Sequence, residues 1–257
     1  MTYQLYTKKE IKERPQRKKV VLESYIVGNN APTVLICPGG AYKFVSDSNE
    51  GKPYAQKLNE RGYNAFVLFY SVGSGNGRFP YPLKDVARAI QFIKSKAEEF
   101  EIDADRIALM GSSAGGHLCS FFATQYERFE CEYENKDYSL KPKVLLLTYP
   151  VITMGELTHK VSRRIFLGML TGKAERNAAS VYMHITPDYP PTFCWHNRDD
   201  LSVPVENSEL LEEALNANNV KNEFLYFDKG GHGIGLAEGK QADGWIDKAI
   251  DFLDENL

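Results

Sequence analysis

The 257-residue chain has no long hydrophobic run and little net charge, and each absence excludes a class of protein. No stretch holds the roughly twenty consecutive apolar residues that a membrane-spanning helix needs, and the N-terminus lacks the apolar core of a secretory signal. The sequence therefore predicts no membrane partner and a cytoplasmic location. The formal net charge is −3, which is near neutrality for this size, so no nucleic-acid partner is expected.

Cysteine is also scarce, and the four that occur show no C-x-x-C spacing. Three of the four lie in apolar surroundings, which favours buried, reduced thiols and fits a reducing compartment. They are Cys37, Cys119, Cys131 and Cys194. Because 43% of the residues are hydrophobic, the chain can fill a core without a disulfide or a structural metal.

Short apolar runs alternate with stretches of helical periodicity along the chain. The runs typical of buried strands are 33–37, 64–70, 107–110, 143–149, 191–196 and 223–227, after an earlier strand at 20–27. Strands that alternate with helices of ten or more residues predict an α/β fold, with a mostly parallel central sheet and helices on both faces. No repeat or linker interrupts the pattern, so we expect a single domain over residues 1–257. Its lead-in at 8–19 should be solvated, and a small insertion at approximately 151–189 should lie over the C-terminal ends of the strands.

Residues 111–115 read G-S-S-A-G between an apolar run and a helical pattern. A strand that enters a helix through G-x-S-x-G is a nucleophile elbow, whose tight turn exposes the central serine. Ser113 is therefore the predicted nucleophile, and side chains at Gly111 and Gly115 would collide where strand and helix approach. The motif alone is weak evidence, because it also arises in ordinary turns of small residues.

Partners for the serine should lie just beyond strand ends, where open α/β sheets bind ligands. Of the five histidines, only His232 lies in a glycine-rich loop directly after a predicted strand, which favours a catalytic base. The others are predicted to be structural (His117, His196) or exposed in the insertion (His159, His184). A protonated base would give the rate an acid limb near pH 6 to 7, where histidines ordinarily gain a proton.

Two aspartates follow the strand before residue 197. Asp200 is favoured as the acid, because Asp199 could instead pair with Arg198 or cap a turn. The order Ser113, Asp200, His232 is that of α/β-hydrolases.

An oxyanion would need at least two aimed donors. The N–H of Ala114 offers one at the start of the helix after the serine, and the turn after strand 33–37 offers Gly40 or Ala41.

Five segments together carry a resemblance to a known superfamily. They are 38–42 (PGGAY), 82–86 (PLKDV), 111–117 (GSSAGGH), 200–208 (DLSVPVENS) and 230–233 (GGHG). From about Thr33 onward the chain resembles the α/β-hydrolases, and among them bacterial esterases of the acetylxylan-esterase and feruloyl-esterase kinds. The resemblance implies the α/β-hydrolase fold, and the family's spacing before Val-Pro selects Asp200 over Asp199. Where many relatives carry His-Gly-Gly-Gly, residues 38–41 read P-G-G-A, which leaves the second donor between Gly40 and Ala41.

The residues and the resemblance predict a serine esterase for small-molecule esters with short acyl groups. That the substrate is an O-acetylated carbohydrate is implied by the resemblance alone. Tyr42 and Tyr149 are predicted substrate contacts, no cofactor or metal is required, and a homodimer is compatible with the sequence. Two alternatives stay open: a peptidase of the same fold, and a non-catalytic ligand-binding homologue.

Overall fold

The computed structural model of the protein describes residues 1–130 and 139–257. The strands are β1 (Thr2–Gln4), β2 (Val21–Tyr25), β3 (Ala31–Cys37), β4 (Asn64–Phe69), β5 (Ile102–Ser112), β6 (Leu145–Thr148), β7 (Thr192–Asn197) and β8 (Asn222–Phe227). They form one eight-stranded sheet in the order β1-β2-β4-β3-β5-β6-β7-β8. The strands β3 to β8 run parallel, and β1 and β2 pair antiparallel. This is the predicted α/β-hydrolase architecture.

Helices cover both faces of the sheet. They are α1 (Lys8–Glu13), α2 (Asp47–Glu50), α3 (Lys52–Glu60), α4 (Tyr81–Ser95), α5 (Ala97–Phe100), α6 (Ala114–Ala123), α7 (Tyr126–Glu130), α8 (Lys160–Leu167), α9 (Lys173–Ala178), α10 (Glu206–Ala217) and α11 (Trp245–Asn256). Side chains alternate along β3, so that Leu35 joins the core beneath α4, α6 and α10, whereas Val34 joins the core beneath α3 and α11. A parallel strand buried on both faces needs an apolar side chain at every position, which explains the continuous apolar runs.

The lead-in is solvated as predicted, since no residue of 8–19 is buried, but it is also folded. Thr7 and Glu10 form a capping box at the start of α1, and a 3₁₀ helix follows at Pro15–Lys19. Ahead of α1, the hydroxyl of buried Tyr6 donates to Asp85 Oδ1 at 2.5 Å. The N-terminus is thereby packed against the main sheet and α4.

Residues 151–189 contain α8, α9 and a 3₁₀ helix at Val181–His184. The ring of Phe166 in α8 stacks on Tyr42 with centroids 4.8 Å apart, so this segment packs against the turn after β3. The single-domain assignment stays a prediction. Among the helices of the described residues, none combines the length and the apolar character needed to cross a bilayer.

Three thiols, those of Cys37, Cys119 and Cys194, are free and buried, as predicted. Cys131 lies outside the described residues.

Candidate active site

Ser113 lies between β5 and α6 in a strained turn. Its backbone has φ 53° and ψ −116°, a region that a residue with a side chain occupies only when its surroundings impose it. A Cβ added at Gly111 would lie 2.3 Å from the Gly115 carbonyl oxygen, and one at Gly115 would lie 1.9 Å from that of Cys37. The predicted collision at both glycines is confirmed, and the elbow presents the serine hydroxyl beyond the strand end.

The three predicted catalytic side chains meet in one hydrogen-bonded row. The Nδ1 atom of His232 lies 2.6 Å from Asp200 Oδ2, and its Nε2 lies 2.9 Å from Ser113 Oγ. An ionised carboxylate can only accept, so Nδ1–H donates to Asp200 and leaves Nε2 free to accept the Ser113 hydroxyl proton. This tautomer is the one that a general base for the serine requires.

Asp200 is held ionised by its surroundings. Its Oδ1 accepts the N–H groups of Ser202 at 2.8 Å and Val203 at 2.9 Å. Burial by itself would raise the pKa of Asp200, but the hydrogen bonds from His196 and His232 and the Val203 amide hold it well below its ordinary value. The acid of the row therefore remains a carboxylate throughout the neutral pH range.

His196 has a role that the sequence did not indicate. It is buried, as a structural histidine should be, and Ser208 Oγ–H donates to its Nδ1 at 2.7 Å. Its Nε2–H is shared between the Val203 carbonyl at 2.9 Å and Asp200 Oδ2 at 3.2 Å. Asp200 Oδ2 therefore accepts from two imidazoles, and the second fixes the carboxylate that orients the first.

The loop that carries His232, residues 228–244, is called here the histidine loop. Asp199 Oδ1 accepts the N–H of Gly230 at 2.9 Å and that of Gly231 at 2.8 Å. Asn197 Nδ2–H donates to the Gly231 carbonyl at 2.8 Å. Asp199 thus caps a turn, one of the two alternatives expected for it, and the turn is that of the histidine loop.

The predicted oxyanion donors lie beside the elbow. Residues 39–42, called here the oxyanion turn, have positive φ at Gly40 (117°) and Ala41 (59°). Within residues 1–130 and 139–257, the N–H groups of Gly40 and Ala41 have no hydrogen-bond acceptor. A Cβ added at Gly39 would lie 3.0 Å from Ser113 Cβ, so this turn packs directly on the nucleophile. Its unpaired amides suit an oxyanion, together with the Ala114 N–H at the first turn of α6.

Replacing Gly40 with alanine should therefore lower kcat strongly and lower the stability of the fold much less. The added Cβ would lie 2.2 Å from the Phe44 carbonyl oxygen, so the turn must shift and a donor is misaimed. Loss of one oxyanion donor lowers kcat by about a hundredfold or more. Gly62→Ala is the control, because Gly62 has φ 83° and open space around it and carries only the strain of about 1 kcal/mol. Equal kcat values for the two variants would contradict the oxyanion assignment.

The two predicted substrate contacts are wrong. Tyr42 and Tyr149 have no exposed surface. The Tyr42 hydroxyl donates to His117 Nδ1 at 2.7 Å, and the Tyr149 hydroxyl donates to Glu50 Oε1 at 2.7 Å. An aromatic residue at a strand end packs inward here, so neither side chain can touch a ligand.

The remaining histidines separate into one confirmed and two corrected predictions. His117 is buried beneath the elbow as expected; burial lowers its pKa to about 4, so the ring is neutral. His159 and His184, predicted to be exposed, are half-buried. His159 Nδ1 lies 2.9 Å from Ser162 Oγ, and its pKa is lowered by burial and then by the charge of His232. The insertion therefore comes within electrostatic reach of the catalytic histidine.

Glu50 is the residue that the sequence analysis missed entirely. It is 3% exposed; its Oε2 accepts the Gly39 N–H at 2.8 Å, and its Oε1 accepts the Tyr149 hydroxyl. Burial raises the pKa of Glu50, and the two hydrogen bonds and the charge of His232 oppose the rise. In the sequence it is one of two acids in a short polar helix, which is the pattern of a solvated residue.

Comparisons with known proteins agree with this geometry. The sequence model of the family described as BD-FAE matches residues 22–215. The chain is 35% identical to an endo-1,4-beta-xylanase B from Butyrivibrio fibrisolvens over 82% of its own length, and 32% identical to an acetylxylan esterase from Xylanibacter ruminicola over 77%. It spans 34% and 40% of the lengths of these two relatives.

Solved structures extend the likeness to the whole described fold. An acetyl ester-xyloside bifunctional hydrolase from Caldicellulosiruptor lactoaceticus superposes with a TM-score of 0.91 and 31% identity, over 99% of this chain and 96% of that one. A carboxylesterase from Lactobacillus plantarum superposes with a TM-score of 0.79 and 26% identity, over 92% of each chain. The family match covers most of the sequence and includes the elbow, the oxyanion turn and Asp200. The chain therefore belongs to the BD-FAE family and has the α/β-hydrolase fold.

Proposed function

We propose that the protein is a serine carboxylic-ester hydrolase that removes short acyl groups, with acetylated carbohydrates as its substrate class. The observation that carries the proposal is the row of Ser113, His232 and Asp200, joined at 2.9 and 2.6 Å beside unpaired backbone amides. A hydroxyl, a base and an oriented acid next to an oxyanion site are the requirements of acyl transfer.

The reaction follows from the direction of these hydrogen bonds. Ser113 Oγ attacks the ester carbonyl while His232 Nε2 takes its proton, and Asp200 stabilises the imidazolium that forms. The amides of the oxyanion turn and of Ala114 bind the oxyanion of the tetrahedral intermediate. His232 then returns the proton to the leaving alcohol. Water attacks the acyl-serine in the second half, with the same histidine as base, and the free acid departs.

Two observations support a carbohydrate alcohol. The relatives described above include proteins named for acetylxylan and for an acetyl ester-xyloside activity. Phe44, beside the oxyanion turn, is 54% exposed, and an exposed aromatic ring offers an apolar face on which a sugar can pack. Phe44 therefore replaces the two buried tyrosines as the aromatic candidate for substrate contact.

A substrate panel tests the proposal. We expect the purified protein to release acetate from acetylated xylo-oligosaccharides and to hydrolyse p-nitrophenyl esters with a kcat/KM that falls as the acyl chain lengthens. A fluorophosphonate probe should label Ser113. Anilides with the same acyl groups as the esters test whether the protein also cleaves a bond to an amine leaving group. Anilide cleavage as fast as ester cleavage would favour a peptidase of this fold. Folded protein that the probe does not label would favour a non-catalytic homologue.

A further inference from the structure

Glu50 is a buried carboxylate next to the catalytic row that takes no part in the mechanism described above. It lies at the end of α2, and each of its oxygens accepts from a different part of the site. A buried carboxylate is costly unless it is fully hydrogen-bonded, so its two partners show what the charge is placed to hold.

The first partner is the oxyanion turn. Gly39 N–H donates to Glu50 Oε2 at 2.8 Å, and the Gly39 carbonyl accepts the Ser46 N–H at 3.1 Å. A Cβ at Gly39 would lie 2.7 Å from that same carboxylate oxygen, so the backbone approaches as closely as glycine permits. Glu50 is therefore hydrogen-bonded to the peptide that immediately precedes the predicted donors Gly40 and Ala41.

The second partner is Tyr149, which reaches the histidine loop. Its hydroxyl donates to Glu50 Oε1 at 2.7 Å and accepts the N–H of Gly235 at 3.3 Å. Its ring packs against the His232 ring with centroids 4.9 Å apart. Tyr149 has φ 37°, in the left-handed region, so the structure holds this residue in place against local strain.

One carboxylate therefore joins the two halves of the site. We propose that Glu50 is a positioning residue, whose carboxylate fixes the oxyanion turn through Gly39 and the histidine loop through Tyr149. This inference rests on the proposed esterase function. Two donors aimed at one group require two acceptors, which a carboxylate provides and a glutamine does not.

The charge of Glu50 has a separate consequence for His232. The groups that face His232 are Ser113, the Tyr149 ring, the Asp200 carboxylate and, from the insertion, the imidazole of His159. Glu50 adds a second negative charge that interacts with the imidazole. That charge stabilises the imidazolium that forms when His232 takes the Ser113 proton, so its removal should lower kcat.

Two substitutions at Glu50 separate the effect of side-chain length on activity from the effect of charge. Glu50→Gln keeps the length of the side chain and removes the charge and one acceptor. We expect kcat for p-nitrophenyl acetate to fall about tenfold to a hundredfold with little change in KM. Glu50→Asp keeps the charge but is one methylene too short to span both donors. We expect kcat to fall less than in Glu50→Gln, because the charge that stabilises the imidazolium remains.

Asp85 provides a matched control. It is also a buried carboxylate that bridges a tyrosine hydroxyl and a backbone amide, accepting from Tyr6 at 2.5 Å and from the Ser71 N–H at 2.6 Å. Asp85→Asn should leave KM and the kcat per labelled active site unchanged.

The outcomes distinguish the inference from the proposed function. If the wild type hydrolyses the ester and Glu50→Gln matches it in kcat, the role of Glu50 is refuted while the esterase assignment stands. If the folded wild type hydrolyses no ester, the proposed function fails first. Should Glu50→Gln not fold, Tyr149→Phe tests the same link, because it removes the hydroxyl and leaves the carboxylate. A kcat lowered severalfold with an unchanged KM supports the link to the histidine loop, and an unchanged kcat overturns it.

Discussion

Ser113→Ala should lower kcat for p-nitrophenyl acetate by roughly four orders of magnitude or more, the largest effect expected of any single change in this chain. The variant loses the Ser113 hydroxyl oxygen, which is the proposed site of the acyl-enzyme, and keeps the amides that are proposed to bind the oxyanion. Substrate binding should therefore survive, and fluorophosphonate labelling should be lost. The measurement is single-turnover and steady-state hydrolysis on protein whose folding is verified by circular dichroism.

Ser112→Ala is the matched control for this experiment. Ser112 is the neighbouring serine in the same motif, but its Oγ is buried and accepts the Thr148 hydroxyl at 2.7 Å. We expect removal of this hydroxyl to change kcat by less than about tenfold, because its hydrogen bond is to Thr148 and not to His232 or the oxyanion turn. Residual labelling of Ser113→Ala, or loss of labelling in Ser112→Ala, would refute Ser113 as the nucleophile.

Asp200→Asn is the second large effect. An asparagine amide would place a donor against His232 Nδ1, so the ring would have to carry its proton on Nε2 and could no longer accept from Ser113. The expected fall in kcat is about a thousandfold to ten-thousandfold. Asp199→Asn is the control, because its remaining carbonyl oxygen can still accept from the Gly230 and Gly231 amides. Equal losses in the two variants would contradict the assignment of Asp200 as the acid.

Asp200→Asn should also change how the free energy of unfolding depends on pH. The folded-state pKa of Asp200 lies below its unfolded value, so the carboxylate contributes stability above the ordinary carboxyl pKa of about 3.9, and that contribution is lost as the pH falls below it. Asp200→Asn should therefore be less stable than the wild type at pH 7, and the difference should narrow as the pH falls below about 4. Urea unfolding at several pH values measures it. A difference in the free energy of unfolding between wild type and Asp200→Asn that stays constant with pH would show that Asp200 is not paired as described.

The catalytic row could be predicted because two of its members have local signals and the third was chosen from two neighbouring aspartates. Ser113 lies in a G-x-S-x-G motif between an apolar run and a helical pattern, and His232 is flanked by glycines directly after a strand. The parallel sheet then brings the strand ends together, so residues far apart in the sequence could be assigned to one site from local patterns. The strands were predicted to within a few residues for the same reason, although β5 begins at Ile102, earlier than its apolar run.

The residues that were missed or misread depend on partners far along the chain. Glu50 bonds to Gly39, 11 positions away, and to Tyr149, 99 positions away, and neither contact leaves a pattern in the sequence. Tyr42 and Tyr149 were misread because an aromatic residue at a strand end has the same pattern whether it packs inward or faces a ligand. Strand β1 has three residues and forms only by pairing with β2, so its existence is decided by tertiary contact.

The anchoring of the histidine loop by Asp199 and Asn197 has an evolutionary consequence. Both side chains bind the backbone of glycines, so these contacts do not depend on which side chain stands at position 232. One codon change at position 232 can remove the catalytic base and leave the backbone of the histidine loop in place. A substitution of His232 is therefore expected to stop the proposed acyl transfer while the backbone around the site keeps these contacts.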